Sequence, residues 1–352
     1  MFSSPARRSG PHPRARALVC SLVVVVLATA LVGCGSNPYD DPDSAASRAQ
    51  TALEDDADAS ESGSRAFIAD DNEVADPSEA SDAAGEAPEA AESGVAPTSR
   101  ERAVAAVGGK GQYLYRTERI GTPAEIVSAA TSAGLSHLVI RAGNPDQGFY
   151  VRDVLEDLLP RAHAAGIKVV AYDGPALEDI PSDVARAREI AAFTSSSGDS
   201  VDAVASDIER TRAPNLDRPR AAEYARQMRA SFGDEYPLIA IVMHPNRHED
   251  WYPFAELASG FDVFSPMDYW TGVTDDGAAF VSESIRRLEK YGLPVSVIGQ
   301  AYPIEGKGTY PPAGAISAAL SAAQDSGAVG MSFWSWETTR PDTWTAITAH
   351  SW

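Results

Sequence analysis

Cysteine is nearly absent from this chain: there are two in 352 residues, Cys20 and Cys34. So few exclude a disulfide framework, and a domain built this way must be stable through its core alone. Positive charge is also scarce, with 29 Lys and Arg against 50 Asp and Glu and a formal net charge of −21. That balance argues against nucleic acid or an anionic membrane surface as a general partner. No Gly-rich phosphate loop follows the first strand-like segment, which weakens the case for a doubly wound nucleotide-binding sheet. What is present is a hydrophobic content of 44%, enough for a sizeable core in one large domain or two ordinary ones.

The N-terminus reads as a targeting segment. Arg7, Arg8, Arg14 and Arg16 precede the apolar run "ALVCSLVVVVLATALVG", which ends at Cys34. A basic region followed by an apolar one is a secretory signal. "LVGC", residues 31–34, resembles the lipobox of bacterial lipoproteins, which implies cleavage after residue 33 and a lipid on Cys34. A simple membrane anchor is the alternative, because the run is nearly long enough to span. Both readings place the remaining chain outside the cytoplasmic membrane and tie it to that membrane, by a lipid on Cys34 in the first. Residues 34–102 are dominated by Asp, Glu, Ala, Ser, Gly and Pro. Such a segment buries too little apolar surface to offset its ordering entropy, so a disordered acidic tether is expected. Roughly 70 residues of flexible, self-repelling chain hold a domain at least about 45 Å from its anchor.

From residue 103 to 352 the pattern is regular. "GQYLYR", "HLVIRAG", "IKVVAYD", "AVASDIE", "YPLIAIVMHP", "FDVFSPMDYW", "PVSVIGQAYP" and "AVGMSFWSWE" are strand-like, and each precedes a helical segment with three- and four-residue apolar spacing. Short continuous apolar strands imply burial on both faces of a parallel sheet. Eight strand–helix alternations over about 250 residues predict an α/β fold, a (β/α)₈ TIM barrel. An open doubly wound sheet is the runner-up.

In such barrels the chemistry lies at the C-terminal ends of the strands. Those ends carry Arg141, Asp173, Asp207 with Glu209, His244, Asp268-Tyr269-Trp270, Gln300 with Tyr302, and Trp334 and Trp336. Aromatic faces with hydrogen-bonding neighbours suit sugar rings, whose C–H faces are apolar and whose rims are hydroxyls. Asp207 and Glu209 are two positions apart and share a strand face. Carboxylates that close push one pKa upward, so one member is expected to stay protonated and able to serve as an acid. The alternative is a structural ion pair with Arg210 or Arg212. Arg141 either binds substrate or pairs with Asp173. His244 and His248 are expected to be exposed loop residues rather than metal ligands, because Pro245 disfavours a helix and no third ligand is evident. Asp275-Asp276-Gly277 reads as a turn and helix cap. No metal and no organic cofactor is expected.

"DAVASDIE" resembles the fourth-strand motif of family-18 glycoside hydrolases, D-G-x-D-x-D-x-E, with Asp202, Asp207 and Glu209 on its first Asp, last Asp and Glu. "PMDYW" is similar to the family's sixth-strand Met-x-Tyr-Asp, which puts Tyr269 on the tyrosine, and Trp334 or Trp336 resembles its eighth-strand tryptophan. The resemblance implies that Glu209 is the general acid, that Asp207 orients an N-acetyl group and that Tyr269 holds it during attack. Asp268, Trp270, Gln300, Tyr302, Trp334, Trp336, Arg141 and Asp173 are the expected sugar-binding residues. The chain departs from the pattern at Ala203, Ala205 and Trp270. A D-x-E at this strand also occurs in family-25 lysozymes, whose first-strand Asp has no match in "QYLYR". The expected function is hydrolysis of an N-acetylhexosamine-containing glycan such as peptidoglycan or a chitin-like polymer. The alternatives are a non-catalytic glycan-binding lipoprotein or an envelope scaffold on the same fold.

Overall fold

The computed structural model describes residues 96–209, 213–304 and 308–352. The signal segment, Cys34, nearly all of the expected tether, Arg210 and Arg212 lie outside the described residues. The first described element is helix α1 (Ser99–Val107), started by Thr98, whose hydroxyl accepts from the Glu101 amide while the Glu101 carboxylate accepts from the Thr98 amide. This reciprocal cap satisfies two orphan donors of the first turn. The compositional boundary at Arg102 therefore falls inside a helix, because the polar residues that read as tether are also its capping residues.

Among the described residues nine strands follow: β1 (Gly109–Leu114), β2 (His137–Asn144), β3 (Gly148–Phe149), β4 (Lys168–Asp173), β5 (Ala203–Ile208), β6 (Leu238–Met243), β7 (Val263–Asp268), β8 (Ser296–Gln300) and β9 (Gly330–Trp334). All neighbours pair in parallel except the two-residue β3, which turns back against the end of β2. Because β1 pairs with both β2 and β9, the eight parallel strands close on themselves. The fold is the (β/α)₈ barrel the sequence predicts. Between strands run α2 (Pro123–Ser132), α3 (Arg152–Ala164), α4 (Ile180–Ala191), α5 (Arg218–Phe232), the short α6 (Pro245–His248) and α7 (Phe254–Ala258), α8 (Gly277–Leu288), α9 (Ala313–Asp325) and the closing α10 (Pro341–Ala349). Thr122, Asp179, Asp217 and Asp276 accept backbone N–H groups at the starts of α2, α4, α5 and α8, the role Thr and Asp fill well because a side-chain oxygen replaces the missing helical acceptor.

Period-two alternation divides the core. Val139, Val170, Ala203, Ile239, Val263 and Ile298 face inward and pack with Ala103, Ala106 and Val107 of α1, which closes the N-terminal end of the barrel. Leu138, Val169, Val204, Leu238, Phe264 and Val297 belong to the outer layer beneath the helices. Near the closed end His137 sits wholly buried, with Nδ1 3.2 Å from the Gly108 carbonyl and Nε2 2.7 Å from Ser332 Oγ. The carbonyl can only accept, so Nδ1 carries the proton and Ser332 donates to Nε2. Gly111 leaves room for this ring: a Cβ there would lie 2.0 Å from His137 Nε2.

Candidate active site

On β5, Ala203, Ala205 and Asp207 point into the barrel while Val204 and Ile208 point outward. Glu209 follows directly in the same alternation, and both carboxylates are 5% exposed. They line one pocket together with Tyr113, Tyr172, Tyr269 and Trp334, floored by Ile241, Met267 and Ile298. Small side chains at Ala203 and Ala205 leave the interior beneath the acids to these larger neighbours. The space between the groups is about 10 Å³, close to the room one water needs. The Trp334–Ser335 peptide is cis.

The surrounding phenols bear on the electrostatics. Burial, joined by the Asp207 charge, holds the Tyr113 phenol well above its ordinary pKa. Burial also dominates at Tyr269, with Tyr302, Tyr113, Asp207 and Glu209 adding to the rise. Tyr252, from the segment after α6, is raised by burial and by Asp207, and its hydroxyl donates to the Ile208 carbonyl at 2.6 Å. Tyr252 thus pins the carbonyl of the one residue that separates the two acids. The Tyr113 and Tyr269 phenols remain protonated in the lining beside Asp207 and Glu209, so the pocket presents O–H donors next to acidic side chains.

The structure brings together Asp207, Glu209, Tyr269 and Trp334. Tyr302 stands edge-on to Tyr269 with ring centroids 5.3 Å apart, behind the pocket lining. Gln300 accepts from the Thr271 amide at 3.0 Å and donates to the Tyr302 carbonyl at 3.2 Å, so its amide ties two loops together. Other residues fall on the helix-facing side of their strands. Asp173 accepts from Arg186 Nε and Nη2 at 2.7 and 2.9 Å, and Arg186 also reaches Asp183 at 2.7 Å. Asp268 accepts from Ser284 of α8 at 2.7 Å. Trp270 is 2% exposed in the outer layer, against Gly277, where a Cβ would lie 2.6 Å from the indole nitrogen. Trp336 packs against Trp344 of α10 with centroids 4.9 Å apart. These four do not line the pocket, because each is one residue out of phase with the inward face or lies beyond the strand.

His244 and His248 correct the expectation of exposed loop residues. They are 1% and 3% exposed, with rings 4.8 Å apart and His244 against Phe280. Pro245 opens α6 rather than preventing it, since the first helical position needs no N–H. Among the described residues no cluster of three or more metal-ligating side chains occurs.

Beside the pocket lies an open cleft of about 980 Å³ over the loops that follow β1, β2 and β4, with Tyr115, Arg116 and Arg141 at its inner end. The Tyr115 ring packs on Trp334 at 5.1 Å, and the Arg141 guanidinium lies 4.7 Å from its centroid on the cleft side. Tyr115 and Arg116 are fixed by Glu337, whose carboxylate accepts from both backbone amides. Sequence reasoning placed Arg141 at the mouth but missed Tyr113, Tyr115, Tyr172, Arg116 and Tyr252. A signal for two of them was present: in "QYLYR" the tyrosines alternate with Leu114, the period of a strand with one face turned inward.

No protein-family model and no curated protein sequence matches the chain. Solved structures do. A family-18 N-acetylglucosaminidase from Paenibacillus barengoltzii aligns with a TM-score of 0.51 at 13% identity, over 68% of this chain and 99% of its own. A mutant family-18 chitinase from Cycas revoluta, in complex with (GlcNAc)4, aligns with a TM-score of 0.50 at 12% identity, over 68% and 97%. An endo-1,4-beta-mannanase from Rhizomucor miehei aligns with a TM-score of 0.51 at 10% identity, over 65% and 86%. The shared feature is the closed barrel found in family-18 chitinases and related glycoside hydrolases.

Proposed function

We propose that this protein is a glycoside hydrolase acting outside the cytoplasmic membrane, tethered by a lipid on Cys34, and that it cleaves an N-acetylhexosamine-containing glycan. The observation that carries the reading is one pocket at the C-terminal barrel end holding Asp207, Glu209, Tyr269 and Trp334. Glu209 supplies the proton that the departing glycosidic oxygen needs. The substrate's own acetamido oxygen attacks the anomeric carbon, as the resemblance implies, with Asp207 holding that group and stabilising its developing positive charge. The Tyr269 hydroxyl donates to the same group, and Trp334 offers a flat face to the sugar ring. Chitooligosaccharide-bound barrels among the structural neighbours support a glycan as ligand.

A second reading, glycan binding without hydrolysis, is favoured by the narrowness of the pocket and by Ala205 and Trp270 at motif positions. Incubating the full-length protein with peptidoglycan fragments and chitooligosaccharides, and following release of new reducing ends, separates the two. Hydrolysis with retention at the anomeric carbon is expected. Saturable binding with no release from any such glycan would establish the second reading instead. For the anchor, Cys34→Ala is expected to abolish lipid labelling and free the protein from membranes; unchanged membrane partitioning would overturn that part.

A further inference from the structure

The open cleft beside the pocket is charged, and its charges are sorted by depth. Arg141 is 7% exposed and Arg116 partly buried at the inner end, while the carboxylates that line the cleft, Glu118, Asp146 and Glu178, are all exposed at the rim. Charges at an exposed rim are screened by solvent and salt, whereas a buried guanidinium keeps its field. Both guanidiniums flank one ring: Arg141 lies 4.7 Å and Arg116 5.7 Å from the Tyr115 centroid. That ring packs on Trp334, which lines the pocket with Asp207 and Glu209. The inner cleft is therefore a fixed cationic patch one aromatic ring away from the two acids. It is held in place from behind by Glu337, through the amides of Tyr115 and Arg116.

From this placement we infer that the cleft recognises a glycan whose sugars carry carboxylates, with an acidic substituent on the sugar adjoining the pocket seated against Arg141 and Arg116. A planar guanidinium matches a carboxylate with two parallel N–H donors. A neutral amino-sugar polymer offers only hydroxyls and amides at this position and forgoes that charge-assisted pairing. The inference deepens the functional reading above and rests on it for the orientation of the chain, but not for the binding itself.

The test uses the full-length protein carrying Glu209→Gln, so that no ligand is consumed, with wild type as control. Three probes of equal length are compared by calorimetry: peptidoglycan oligosaccharides with free lactyl carboxylates, the same oligosaccharides as neutral methyl esters, and chitooligosaccharides. The free acid is expected to bind roughly 10- to 100-fold more tightly than its ester, the ratio that one or two charge-assisted hydrogen bonds carry. That ratio should fall towards one in the Arg116→Gln/Arg141→Gln double variant and should shrink as salt is raised. Because Arg141 is buried, Arg116→Gln alone and Arg141→Lys are measured as well; each is expected to retain part of the preference. Equal binding of acid and ester, chitooligosaccharides binding as tightly as the acid, or an undiminished ratio in the variants would overturn the inference. Absence of binding by any probe would overturn it together with the functional reading. A clear acid preference in a wild type that never cleaves would overturn the hydrolase reading alone.

Discussion

Trp334 and Trp270 carry the same side chain at the ends of strands of the same barrel, one closing β9 and the other two residues past β7, yet their surroundings give them different work. Trp334 lines the pocket with the acids, whereas Trp270 is sealed against Gly277 under α8. Glycan-induced change in indole fluorescence is therefore expected to vanish in Trp334→Phe and to survive in Trp270→Phe. Trp270→Ala should instead cost about 3–5 kcal/mol, as large-to-small changes at packed aromatic sites do, read as a lowered melting temperature. A quenching signal that depends on Trp270 would contradict the placement of both. The same contrast explains what was legible in the sequence. Asp207, Glu209 and Tyr269 could be found because spacing and motif fixed their face. Asp173 and Asp268 read as mouth residues because they too end strands. One residue of phase turns them outward, and phase is set by pairing with neighbouring strands rather than by the segment alone.

At the scale of elements, the strand that ends in Asp173 is joined to α4 by a buried charge cluster. Burial works against the Arg186 charge, but hydrogen bonds and attraction from Asp173 and Asp183 outweigh it and hold the guanidinium above its ordinary range. Asp183 also accepts from the Leu177 amide at 2.8 Å, where the chain adopts a positive φ of 56°. The loop before α4, which borders the cleft, is thereby set by the same cluster. Removing the guanidinium leaves two buried carboxylates without their shared cation, so Arg186→Ala is expected to destabilise the fold by about 3–5 kcal/mol. Chemical denaturation would show it, and a loss under about 1 kcal/mol, the value of an exposed pair, would contradict the reading. Caps and apolar periodicity made the longer helices of the eight repeats readable, but not the one-turn α6, where Pro245 reads as a breaker yet opens the helix. Helix α1 was not readable either, since its buried face is mostly alanine and its capping residues look like tether.

For the whole molecule, α1 closing the barrel's N-terminal end and His137 buried nearby make stability depend on acid. Burial lowers the His137 pKa to about 4 from the ordinary 6.5, despite an opposing hydrogen bond to Gly108. The folded protein keeps this ring neutral while the unfolded chain takes up a proton below pH 6.5. The unfolded state thus binds more protons as pH falls from 6.5 to about 4, and stability drops across that window by about 3 kcal/mol in all. Denaturation curves at successive pH values should show this slope, and His137→Asn, less stable near neutrality, should flatten it. An equal slope in the variant would assign the acid sensitivity elsewhere. The central claim is that Glu209 gives up a proton to a glycosidic bond, and Glu209→Gln tests it most directly because the amide keeps the shape and removes the transferable proton. Turnover, glycan affinity and melting temperature are measured on one preparation. The account predicts a fall in turnover of about 10²–10⁴-fold, with affinity and melting temperature close to wild type; undiminished hydrolysis by Glu209→Gln would contradict it.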